Sequence, residues 1–238
     1  MAEKVQNETV AEKLNASLAK SSKALLALAA VVVIVFLAVI VVSNVNAGAT
    51  KKGLELIDTI NYSLTKESEI SAGDENVSEE EIASKKAEKK TSRQNVALEQ
   101  LASLSSKSGI VGVRANMLVA DIKFSQKNYS EARDAYVKAA NGKKAYTAAL
   151  NNFNAGVCSE ELGDIDSAEK YYELASSDKN FVLIDHALFS LGRVYEAKSD
   201  FASAKAAYEK LNDLHPATSW GQLAKSRLIA LKAAGQIQ

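Results

Sequence analysis

The chain has 238 residues, 47% hydrophobic and 24% charged, the make-up of a folded protein. Its 29 Lys and Arg balance 29 Asp and Glu, so it lacks the cationic excess that phosphate-backbone binding needs, which argues against nucleic acid as the main partner. One proline and 11 glycines are too few for a turn-rich β architecture, and the single cysteine, Cys158, cannot close an internal disulfide.

Residues 1–23 are polar and carry Lys4, Lys13, Lys20 and Lys23. From Ala24 to Val42 the sequence is apolar without interruption. As a helix that run spans about 30 Å, the thickness of a bilayer core, and globular helices seldom stay apolar on every face for so long. A single transmembrane helix over 24–43 is the reading. Val45-Asn46-Ala47 before Gly48 also satisfies the small-residue rule for signal cleavage, so release of a mature soluble protein is an alternative. The length of the run and of the polar stretch before it favours an uncleaved anchor. Four lysines precede the span and only Lys51 and Lys52 follow closely. The positive-inside rule then gives a cytoplasmic N-terminal tail (1–23) and an extracytoplasmic remainder (44–238), single-pass in an inner (plasma) membrane.

Leu54, Ile57, Ile60 and Leu64 recur at helical spacing and predict a membrane-proximal amphipathic helix over 54–66. Glu67–Asn76 loses that period and reads as a loop. Ser78 followed by Glu81 is a capping box, with Glu81 and Lys85 able to pair, so a solvated charged helix runs to about Lys90. Val96, Leu98, Leu101 and Leu104 form an apolar stripe over 93–105 before a break at Ser105–Gly109. Residues 44–112 are thus expected to hold membrane-proximal helices and a charged insertion, the helices making a degenerate first pair.

From Val113 the chain repeats itself. Ala132, Ala168 and Ala204 lie 36 residues apart, as do Tyr136, Tyr172 and Tyr208, and Ala120, Gly156 and Gly192. The turns at Lys127-Asn128-Tyr129, Gly163-Asp164-Ile165 and Ser199-Asp200-Phe201 are equivalent. Three repeats follow, 113–148, 149–184 and 185–220, then a C-terminal capping helix over 221–238 marked by Leu223, Leu228 and Leu231.

Leu188, Leu191, Gly192, Tyr195, Ala204, Tyr208 and Pro216 together resemble the tetratricopeptide repeat. The resemblance implies a helix-turn-helix per repeat and an all-α solenoid of antiparallel helix pairs. Small residues at Gly192 and Ala204 would let the first (A) and second (B) helices approach, with Tyr195 and Tyr208 filling the space between them. Lys123 and Ser159 stand where the third repeat has Tyr195. The two residues beyond the usual repeat length fall at the turns Gly142-Lys143-Lys144 and Asp178-Lys179-Asn180.

No phosphate-binding glycine loop, paired-histidine motif or nucleophile elbow is present, so no enzyme, cofactor or metal is expected. His186 and His215 are isolated, Cys158 reads as a buried apolar residue, and Glu160-Glu161 and Glu79–Glu81 read as solvated faces. In this family the helix A positions beside the packed ones line a concave groove. They are Met117, Asp121 and Phe124; Phe153, Val157 and Glu160; and Phe189, Arg193 and Glu196. Met117, Phe153 and Phe189 share the period and make an apolar row, either the floor of a binding groove or packing between neighbouring A helices. Met117, Asp121, His186 and Ser190 do not fit a carboxylate clamp for peptide C-termini, although Asn154 does.

A short tail, one span and an exported repeat domain resemble the ancillary subunit of the bacterial Sec translocon. That likeness implies an interaction scaffold with protein partners, a translocon or envelope chaperones, and with the bilayer through 24–43. A cytosol-facing import receptor, or a cleaved periplasmic protein serving cell-envelope or division machinery, shares the same features.

Overall fold

A computed structural model describes residues 10–65, 78–142 and 146–238, with side chains from residue 31 onward. The expected loop at Glu67–Asn76 and the Lys143-Lys144 turn lie outside the described residues. Among those described, all regular structure is helical: α1 (Val10–Thr65), α2 (Glu79–Ser105), α3 (Ile110–Ser125), α4 (Tyr129–Ala140), α5 (Ala148–Glu161), α6 (Ile165–Ser176), α7 (Ile184–Ala197), α8 (Phe201–Leu214) and α9 (Ser219–Ala233). The chain divides into two compact units, Met1–Lys52 and Gly53–Gln238.

The first unit is the N-terminal part of α1. Its apolar side chains face outward, Ile34 65% and Phe36 64% exposed, and the helix carrying them is long and apolar enough to cross a membrane. No break separates this stretch from the amphipathic one expected at 54–66, so the two expected helices are one. Gly48 and Gly53 interrupt the sequence between them, but a glycine costs a helix only about 1 kcal/mol, too little to end it.

In the second unit the last turns of α1 bury Ile57 and Ile60 against Leu101 and Leu104 of α2 and Val111, Ala115 and Ile122 of α3. Ser78 caps α2 by accepting from the Glu81 N–H at 3.3 Å, and Lys85 pairs with Glu81 at 2.8 Å. The charged stretch and the apolar stripe, expected as separate elements, form this single helix. Its buried face is Gln94, Ala97, Leu101 and Leu104. Val96 is 52% exposed, because the 3-4-3 spacing of that face turns position 96 outward.

Three helix pairs then follow, α3–α4, α5–α6 and α7–α8, each packing on the next, with α9 closing against α8 and α7. The reversal inside each pair uses one geometry. Lys127, Gly163 and Ser199 take positive φ of 62°, 69° and 60°. The next residue's N–H then bonds back to Lys123, Ser159 or Tyr195, each at 2.9 Å, the Schellman closure of a helix C-terminus. Asp164 and Asp200 go on to cap α6 and α8, accepting from Ser167 and Ser203.

Ala132, Ala168 and Ala204 are fully buried where helices A and B touch. The rings of Tyr172 and Tyr208 lie directly on Gly156 and Gly192: a Cβ built there would stand 2.7 and 2.4 Å from the ring carbons. Tyr195 does not share that space as expected. It is half-buried and donates to Glu173 of α6 at 2.7 Å, tying the third pair to the second. Leu231 is buried in α9 and Leu228 partly so, but Leu223 is 47% exposed. Gly221 and Ala224 take the inner face instead.

Candidate functional site

The periodic tyrosines of the B helices end on carboxylates of the A helices. Tyr172 donates to Glu160 at 2.5 Å and Tyr208 to Glu196 at 2.6 Å, each across 12 residues of sequence. A cation from the following A-type helix completes both links: Arg193 of α7 pairs with Glu160, and Arg227 of α9 with Glu196. The result is a ladder of tyrosine, carboxylate and arginine joining consecutive units. Burial and the facing carboxylates hold the Tyr172 and Tyr208 hydroxyls well above the ordinary phenol value, so they remain donors. Burial works to raise the Glu196 carboxyl, but the Arg227 guanidinium and the Tyr208 hydroxyl outweigh it and leave the group below the usual range. Glu160, expected on a solvated face, is half-buried in this network instead.

The first pair departs from the pattern by one turn. Ala120 stands where the other pairs have glycine. The Tyr136 hydroxyl reaches Asp121 at 2.5 Å, while Phe124, in the place of Glu160 and Glu196, packs edge-to-face on Tyr129 with centroids 5.3 Å apart. Burial raises the Asp121 carboxyl above its ordinary value, with the tyrosine hydroxyl opposing.

Asp121 also borders open space. A cavity of about 290 Å³ is walled by Ile57 and Asn61 of α1, Met117, Leu118 and Asp121 of α3, and Thr147 ahead of α5. A second, of about 250 Å³, shares Asn61, Leu118 and Asp121 and continues toward Lys90 and Arg93 of α2. Arg114 lines the first cavity but is held by Asp58 at 2.7 Å.

The apolar row splits. Phe153 is 5% exposed and packs on Tyr172, Phe181 and His186. Phe189 lies on Tyr208 and Trp220, and Trp220 stacks on His186 at 4.3 Å. Val157 packs on the same core. Only Met117 opens to the cavity, with the Thr147 hydroxyl donating to its sulfur. At the C-terminal end the solenoid's own aromatics fill the inner face, whereas at the N-terminal end the described residues leave a cavity.

The reactive groups are quiet. Cys158 is fully buried, and burial pushes its thiol up to about 12, away from thiolate chemistry. Burial, and then the charge of Arg193, lower the His186 pKa and keep the stacked ring neutral. His215 bonds to Asp185 at 2.5 Å.

The expected site residues therefore fall into three sets. Met117 and Asp121 border the cavity; Glu160, Arg193 and Glu196 belong to the ladder; Phe124, Phe153, Val157 and Phe189 pack. The sequence reading missed the tyrosine hydroxyls, although the 12-residue interval from Glu160 to Tyr172 recurs from Glu196 to Tyr208. It also missed Arg227, which no periodicity marks: 36 residues after Arg193 stands Ile229.

Residues 149–177 and 186–218 each match the tetratricopeptide repeat family. These matches fall on the second and third helix pairs. A similar protein is the "TPR repeat-containing protein" of Treponema pallidum (strain Nichols), 38% identical over 139 residues. The aligned part spans 58% of this chain and 58% of that relative. Repeats of this kind form protein-interaction scaffolds, and the fold here is such a solenoid preceded by an apolar helix.

Proposed function

We propose that the chain is a membrane-anchored interaction scaffold whose N-terminal helix crosses the inner membrane and whose repeats bind protein segments outside the cytoplasm. In this reading the solenoid assists protein translocation or an envelope chaperone network, as the Sec translocon likeness implies. The observation that carries it is an apolar helical stretch, none of it buried, on the same chain as repeats whose inner face is open at Met117 and Asp121. An apolar surface of that extent needs lipid or protein to cover it. The lysine bias ahead of the run supports an inward N-terminus.

Intact spheroplasts treated with protease, together with the mass of the mature chain, test this reading. It expects digestion of residues 44–238 and a full-length mass. Protection of the repeats would place them in the cytosol, and a chain beginning at Gly48 would make the protein a soluble periplasmic one; either result overturns the anchored, outward-facing reading.

A further inference from the structure

The ladder leaves one rung incomplete. At the second and third junctions a tyrosine holds a carboxylate and an arginine from the next helix neutralises it. At the first junction Tyr136 holds Asp121 in the same way, but among the described residues no third member joins them. Arg193 stands 33 residues after Glu160; the same step from Asp121 arrives at Asn154. Asn154 carries no charge, and the residue one period before Arg193 is the apolar Val157. Among the described residues no cation pairs with Asp121. Arg114 is already engaged by Asp58, and Lys90 and Arg93 stand on the α2 wall of the adjoining cavity. Asp121, which no described cation pairs, is also the carboxylate that borders the cavity, beside the apolar surfaces of Ile57, Met117 and Leu118.

We infer that this cavity receives a partner polypeptide segment whose lysine or arginine side chain lands on Asp121 and completes the first rung from outside. The inference rests on the interaction reading above and adds to it the chemistry of the occupant. Charge complementarity at Asp121 itself argues for it: among the described residues Glu160 and Glu196 each have an arginine and Asp121 has no cation paired to it. The Tyr136 hydrogen bond fixes the carboxylate before anything binds, which reduces the ordering cost of forming the ion pair. The alkyl stem of a lysine or arginine would lie along Met117 and Leu118 while its head met the acid.

Selection of 12-residue random peptides on the full-length chain in detergent micelles tests this, using wild type, Asp121→Asn and Asn154→Arg. Asp121→Asn removes the charge and keeps the hydrogen bond from Tyr136. Asn154→Arg supplies the missing cation internally. The expected result is a wild-type pool enriched in lysine or arginine flanked by apolar residues, with affinity for those peptides falling about tenfold or more in both variants. Groove-binding peptides with no basic preference, or basic peptides bound equally by both variants, would overturn the inference and leave the scaffold reading intact. A wild-type pool with no peptide bound at the groove would overturn both.

Discussion

The ring of Tyr208 covers Gly192 so closely that a single added methyl would stand 2.4 Å from its Cε1. The carboxylate within reach differs between pairs, because Phe124 stands where the others have Glu160 and Glu196. The Tyr208 hydroxyl lands on Glu196, and the Tyr136 hydroxyl lands on Asp121.

Gly192→Ala should therefore destabilise the solenoid by about 1–3 kcal/mol, the usual cost of overpacking. Gly156→Ala should act alike through Tyr172. Denaturant midpoints of the two variants check this. In neither should the tyrosine keep its bond to the glutamate, which crystallography of the variants would show.

The turns offer an opposed pair of substitutions. Gly163 holds φ at 69°, a conformation costing an L-residue roughly 1–2 kcal/mol, so Gly163→Ala should lower stability by about that much. Ser199 holds φ at 60°, and Ser199→Gly should leave stability unchanged or raise it by up to about 1 kcal/mol. Thermal unfolding of the two variants separates the cases.

Acid should act on Glu196 and Asp121 with opposite signs. The folded state lowers the Glu196 pKa, so its contribution is present above the ordinary carboxylate range and is lost as pH falls through the folded value. Glu196→Gln should cost about 1–2 kcal/mol at pH 7, the upper part being screened away at the half-exposed Arg227, with the difference vanishing in acid. The fold raises the Asp121 pKa, so its ionisation weakens the fold as pH rises through that value. Asp121→Asn should then stabilise the protein at pH 7 and make no difference in acid. Urea midpoints across pH 2–8 check both, and a neutral-pH loss in Asp121→Asn would contradict the assignment.

Phe153→Ala and Phe189→Ala should differ in degree. Phe153 is buried among three rings, and its truncation should cost about 3–5 kcal/mol, as core phenylalanines do. Phe189 is only partly buried against the same core and should cost less. Equal losses, by thermal melts, would show that the two share one environment.

The solenoid was legible because its signals are small residues at helix contacts: a fully buried alanine or glycine has no substitute at these separations, so Ala132, Ala168, Ala204 and the glycine column keep the period. Helix continuity was less legible, since α1 and α2 each cross a change of polarity that looks like a boundary but contains no residue able to end a helix. The groove was read from one repeat and applied to all three. Phe153 and Phe189 pack on His186 and Trp220, rings that share no period with them and so could not be read from the repeat. Met117 and Asp121 border a cavity instead, and among the described residues no aromatic ring packs on them.

The central claim, that the inner face at α3 receives a partner polypeptide, is tested most directly by a photocrosslinking residue placed at Met117 in the full chain in its native cells, with Leu174 of α6 as the control. Leu174 is 46% exposed and lies on a B helix away from the cavity. The account predicts a polypeptide adduct from position 117 that is absent from position 174 and weakened by Asp121→Asn. Adducts of equal yield from both positions, or none from position 117, would contradict it.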